Sequence, residues 1–173
     1  MMFYAAKLRD LQIGLRALLV GAALACASLA HAVETREAEP LDRFPKDMLA
    51  IATPDARLHR FRVWVADQDR RRVQGLMFVK ALPEDQGMLF IYPEPRLISM
   101  WMKNTYVALD MIFIDANGRV ARVAANAKPM SLATIESGEP VVAVLEIAAG
   151  MAKRLNIARG AVVMHAHFGN PAY

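Results

Sequence analysis

From residue 110 the chain runs Asp110-Met111-Ile112-Phe113-Ile114, then Asp115-Ala116-Asn117-Gly118, then Arg119-Val120-Ala121-Arg122-Val123-Ala124. Two short apolar runs flank a four-residue segment in which Asn-Gly supplies the positive φ angles a tight reversal needs, which predicts a β-hairpin. The same grammar recurs upstream. Met48 to Ala52 and Leu58 to Ala66 flank Thr53-Pro54-Asp55-Ala56-Arg57, and in the second run Phe61, Val63 and Val65 alternate with Arg60 and Arg62, so a second hairpin is expected there.

Further strands are expected over Met88 to Tyr92, Leu97 to Met102, Val141 to Ile147 and Val162 to Phe168. Pro93-Glu94-Pro95-Arg96 separates the first two, since neither a helix nor a central strand tolerates two prolines so close together. Short helices are expected over Gln68 to Gln74, capped by Asp67 and ended by Gly75, and over Gly150 to Asn156. Strands outnumber helices, and tight turns space them. The fold class predicted is mainly β, a compact antiparallel sandwich or open barrel with two short helices.

The N-terminal region reads differently. Lys7, Arg9 and Arg16 precede an uncharged apolar run from Ala17 to Ala30, followed by Ala30-His31-Ala32. A basic segment, an apolar segment and a small-x-small site predict a signal peptide over residues 1–32 and a mature chain from Val33. The apolar run would span only about 21 Å as a helix, short of the ~30 Å of a bilayer core, so no stable transmembrane span is expected after processing. Lipoprotein anchoring at Cys26 is the alternative. Cleavage removes three basic groups and one acidic group, so the net charge falls from +4 to +2, and the basic character of the whole chain is weak support for nucleic-acid binding. It also removes the one cysteine, leaving no disulfide. Residues 33–47, rich in Glu, Arg and Pro, read as a flexible linker, and residues 48–173 as one mainly-β domain.

Three stretches carry a resemblance: Gly75-Leu76-Met77-Phe78 running into Leu82-Pro83-Glu84-Asp85-Gln86-Gly87-Met88-Leu89-Phe90; Trp101-Met102-Lys103-Asn104-Thr105 with Leu109-Asp110; and Val144-Leu145-Glu146 with Gly150. Together they resemble the family of the domain of unknown function 192. The resemblance implies a small, mostly β, often exported fold with no settled activity. Met100, Ala108 and Ala148 depart from that family's usual aromatic, Pro and Pro, and none of them puts a charge in a core.

The candidate ligand-binding residues are Trp101, Lys103, Asn104, Thr105, Asp110 and Glu146. A chain reversal after Lys103 would bring it toward Asp110, with Asn104 bonding the turn; this gives either a polar pocket walled by Trp101 or a structural ion pair. Glu146 sits among Val142, Val144, Leu145 and Ile147, so it either pairs with Lys103, Arg72 or Arg122 in the interior or faces water. His165 and His167, two apart on an expected strand, would share a face, but no third metal ligand lies near them. Met100 and Met102 share that spacing and could hold Cu(I) through thioethers. Arg70-Arg71-Arg72 reads as a solvated helix face.

No catalytic residue is assigned and no cofactor or metal is expected. The chain lacks a nucleophile elbow, a His-Glu-x-x-His pair, a phosphate loop and a dinucleotide fingerprint. The function expected is that of an exported cell-envelope module, periplasmic or secreted, that binds a small molecule or another envelope protein and no nucleic acid. A small hydrolase or lyase using Glu146 and Asp110 as acid and base is the alternative, and a periplasmic copper-binding protein a minor one.

Overall fold

The turn Asp115–Gly118 closes as its residues require. The Asp115 carboxylate accepts the backbone N–H groups of Asn117 and Arg119, both at 2.8 Å, and Gly118 takes φ 75°, a conformation that needs no Cβ relief in glycine. The computed structural model describes residues 38–170. The signal peptide expected over 1–32 and its Cys26 alternative lie outside them.

In chain order the strands are β1 (Lys46–Ala52), β2 (Leu58–Ala66), β3 (Gln86–Arg96), β4 (Ser99–Met100), β5 (Leu109–Ile114), β6 (Val120–Ala127), β7 (Ile135–Glu136), β8 (Val141–Ala148) and β9 (Val162–Met164). The helices are α1 (Asp69–Gln74) and α2 (Met151–Arg154). Among the described residues, seven strands form one curled half-barrel sheet in the order β6-β5-β8-β3-β2-β1-β9, while β4 and β7 pair separately. The mainly-β expectation holds, as do both hairpins.

One pairing departs from the antiparallel pattern. β2 and β3 run parallel, from Arg62 opposite Gln86 to Ala66 opposite Phe90. A parallel pair needs a long crossover, and the segment between β2 and β3, carrying α1, supplies it. β3 also runs through Pro93 and Pro95. Its register with β8 breaks between Ile91 and Arg96, so neither proline is asked for a ladder hydrogen bond. The last strand is shorter than expected, because after Met164 the chain turns into a 3-10 turn over Ala166–Phe168. His165 Nδ1 accepts the N–H of His167 at 3.1 Å, and its Nε2 lies 3.2 Å from Asp47 Oδ2. The two rings therefore do not present a shared face to a metal; the His165 ring ties the end of β9 to β1, and the His167 ring packs on Phe168.

The linker expected over 33–47 is already folded from Glu39. Glu39 and Gln74 exchange two hydrogen bonds of 2.7 Å, Phe44 is buried, and β1 starts at Lys46. A single apolar ring among charges is enough to dock this strap, because Phe44 packs beneath Arg71, whose guanidinium carbon lies 5.4 Å from the ring centroid.

The sheet is buried on both faces. On one, Leu49, Phe61, Leu89, Ile112, Leu145 and Ile147 meet Met151, Ala152 and Ile157 from the α2 region. On the other, Met88, Phe90, Met111, Phe113 and Val144 are covered by Leu76, Ile98, Met100 and Met102. The edge strands β6 and β9 meet at Arg119 opposite Val162, where Val163 N–H donates to Gly118 O at 2.7 Å and Val120 N–H to Ala161 O at 2.8 Å.

Candidate functional site

Strand parity places Glu146. In β8 it stands opposite Met88 of β3 and Met111 of β5, and paired residues of neighbouring strands project from the same side. Its carboxyl therefore points into the second face, beneath α1 and the segment from Leu97 to Thr105, where a cavity of about 330 Å³ opens to solvent. Glu146 is 4% exposed, and Oε2 has no hydrogen-bond partner among the described residues. The sequence offered an interior pair or a face turned to water; the structure gives a buried carboxyl with no pair, lining a cavity that opens to solvent. Burial alone pushes its pKa up to about 8, so the side chain is mostly an uncharged acid at neutral pH.

The three partners expected for Glu146 are engaged elsewhere or exposed. Arg72 donates to Asp67 O at 2.6 Å and Ile91 O at 2.7 Å, and pairs with Asp69 at 2.6 Å. Arg122 lies over Phe113, 5.8 Å from its centroid. Lys103 places its Nζ 5.4 Å from the Trp101 ring centroid, at the cavity rim. The arginine run is accordingly no solvated face: Arg71 is buried against Glu39 and Asp67, and Arg72 pins α1 to β3.

Four of the six expected residues, Trp101, Lys103, Thr105 and Glu146, line this one cavity. Thr105 is buried, its hydroxyl donating to Lys103 O at 3.2 Å, which fixes the turn that carries Lys103. Asn104 does not line it; it takes φ 55° and its backbone oxygen accepts Phe78 N–H at 2.9 Å. Asp110 is on the opposite face. It pairs in register with Ile147, one residue beyond Glu146, so its side chain enters the first core. There Oδ1 accepts Asn126 N–H and Oδ2 accepts Ala152 N–H, both at 2.8 Å, tying the β6 end and the α2 start to β5. The expected approach of Lys103 to Asp110 does not occur, because the reversal between them points the two side chains to different layers. Glu146 and Asp110 cannot act as acid and base on one substrate, since the sheet separates them.

Sequence reasoning missed Tyr92, Arg96, Leu76 and Phe90, which complete the walls. Arg96 and Arg72 place their guanidinium carbons 6.0 and 5.2 Å from the Tyr92 centroid. Burial pushes the Tyr92 phenol up, against the pull of Arg72 and Arg96, so it stays neutral. Its hydroxyl donates to Met100 Sδ at 3.9 Å. Met102, by contrast, is fully buried and does not line the cavity, so Met100 and Met102 do not present a joint thioether pair there. The signal that could have found Arg96 was a lone cation ending a Pro-rich spacer directly after a buried strand.

The match to a family model fits this layout. It covers residues 50–165, the family being DUF192, described as Uncharacterized ACR. The chain belongs to the DUF192 family. Two solved structures resemble this DUF192 chain. One, described as a proposed transcription regulator from Sinorhizobium meliloti 1021, is 41% identical with a TM-score of 0.71, over 72% of this chain and 96% of that one. The other, a protein of unknown function from Novosphingobium aromaticivorans DSM 12444, is 32% identical with a TM-score of 0.70, over 75% and 91% of the two chains. No curated protein matches. No described helix is long and apolar enough to cross a membrane, and no three His, Cys, Asp or Glu side chains cluster as metal ligands among the described residues.

Proposed function

We propose that this DUF192 chain is an exported cell-envelope module that binds a small molecule in the cavity beneath Trp101. The observation that carries the reading is Glu146: a buried carboxyl with an oxygen that bonds nothing, set under an opening lined by aromatic and cationic side chains. Burying such a group without a partner costs several kcal/mol, about the size of a large fraction of a domain's stability. A cost of that size at one position is what a ligand site, rather than a packing site, retains.

Export rests on the basic segment, apolar run and Ala-His-Ala site over 1–32. Intact mass of the envelope-fraction protein tests it: a chain starting at Val33 supports it, and a lipid-bearing residue 26 supports the anchored alternative. The binding reading is tested by native mass spectrometry of protein purified from its own envelope. A small molecule retained by the wild type and lost in Trp101→Ala supports it; a ligand-free spectrum for both contradicts it.

A second reading, a docking surface for another envelope protein, is favoured by the exposed side chains of Phe78, Leu97, Trp101, Tyr106 and Leu132 on loops around or near the cavity mouth. A catalytic role is disfavoured because Asp69, the other described carboxylate lining the cavity, is held in an ion pair by Arg72 at 2.6 Å. The regulator role named for the Sinorhizobium neighbour is disfavoured for this chain, because Arg71 and Arg72 of α1 are already bonded within the domain and α1 and α2 are only six and four residues long.

A further inference from the structure

We propose that the cavity takes a small amphipathic organic anion, its acidic group drawn to the rim cations Arg96 and Lys103 and its apolar body lying against Leu76, Phe90 and Met100. The inference rests on the small-molecule reading above and adds the class of ligand.

Arg96 and Lys103 line the cavity, and neither side-chain cation has a carboxylate or hydrogen-bond partner among the described residues; each lies only over an aromatic ring. The one other acid lining the space, Asp69, is ion-paired with Arg72 at 2.6 Å. A cationic ligand would thus meet two unpaired like charges, and would find the rings of Tyr92 and Trp101 already facing cations. A neutral ligand would leave the cations unused. An anion uses them, and charge-assisted hydrogen bonds to Arg are the stronger kind.

Glu146 sets the pH behaviour of such binding. The titratable and charged groups that share its cavity are Tyr92 and Arg96 on β3, Asp69 and Arg72 on α1, and Lys103 on the rim loop, and of these Tyr92 interacts with it electrostatically. Below about pH 8 its carboxyl is protonated and donates a hydrogen bond to an acceptor oxygen; above that it becomes an anion under an anion. Affinity for an anionic ligand therefore falls as pH rises through that value.

The test titrates the purified protein with three probes of similar size, benzoate, benzyl alcohol and benzylammonium, following the Trp101 indole N–H by NMR. At pH 6.5 benzoate is expected to bind about tenfold or more tightly than benzyl alcohol, with the ammonium weaker still. The Arg96→Gln/Lys103→Gln variant should lose about tenfold in benzoate affinity and leave benzyl alcohol unchanged. Raising the pH to 9 should weaken benzoate several-fold in the wild type, and Glu146→Gln should abolish that dependence. Equal affinity for benzoate and benzyl alcohol, a preference for the ammonium, or benzoate binding untouched in the double variant would overturn the anion inference while leaving a small-molecule cavity in place. If none of the three probes moves the Trp101 signal, the small-molecule reading falls with it.

Discussion

Glu146 carries its burial without a partner, and this reverses what its sequence setting implies about mutation. A carboxylate among apolar neighbours invites the expectation of a buried ion pair, whose rupture costs ~3–5 kcal/mol. Here there is no pair to break. Its folded-state pKa of about 8 lies above the ordinary 4.5, so the folded state holds the proton more tightly than the unfolded chain. Its contribution to stability is fully present below pH 4.5 and is lost as pH rises through about 8, a linked change of about 5 kcal/mol. Glu146→Gln does not titrate, so its stability relative to wild type should climb across that window; urea unfolding of both at pH 5, 7 and 9 measures it, and a gap flat with pH would show that Glu146 stays ionised. Asp110 behaves oppositely. Asp110→Ala leaves the buried N–H of Ala152 without its acceptor, at ~1–3 kcal/mol, and frees the more exposed N–H of Asn126, and should lower the melting temperature by roughly 10 °C. Lys103→Ala, whose charge faces water and one indole ring, should shift it by no more than a few degrees, because an exposed cation–π contact is worth only about 0.5–1 kcal/mol.

At the scale of elements, the strands and turns were legible where short-range chemistry decides them. Asn117-Gly118 and Pro54-Asp55 announce their hairpins, and the alternation of Phe61, Val63 and Val65 announces a half-buried strand. Pairing partners were not legible, since nothing local says that β2 and β3 lie side by side in parallel, or that β8 is the strand inserted between β3 and β5. The candidate site followed the same division. Trp101, Lys103, Thr105 and Glu146 were found from residue type and parity, whereas Asp110 was misplaced because its face depends on a register one residue out of step with Glu146. Gly87 marks a constraint of that register: a Cβ there would sit 2.4 Å from Glu146 O on β8. Gly87→Ala must push β3 from β8 at the floor of the cavity, so it should lower the melting temperature by about 10 °C or more and weaken any ligand retained by the wild type. Gly118→Ala meets Val163 O at 2.6 Å as well as an adverse φ, and should open the β6/β9 seam, seen as faster amide exchange at Val120 and Val163.

The whole molecule is a sheet used on both sides for different ends. One face is sealed by α2 and organised by Asp110, and it holds the half-barrel together. The other is roofed by α1 and the Leu97–Thr105 segment, leaving a gap above the buried, unpaired carboxyl of Glu146. Left-handed backbone at Phe78 and Asn104, joined by the Phe78 N–H to Asn104 O bond, shows that this roof is held in a shape most residues resist. The state of Glu146 under that roof decides how the cavity works. Carbon-detected NMR of its side-chain carboxyl across pH 4 to 10 reads that state directly: a single titration centred near pH 8 is expected, and a midpoint near the ordinary 4.5 would show a solvated carboxylate in place of a buried acid.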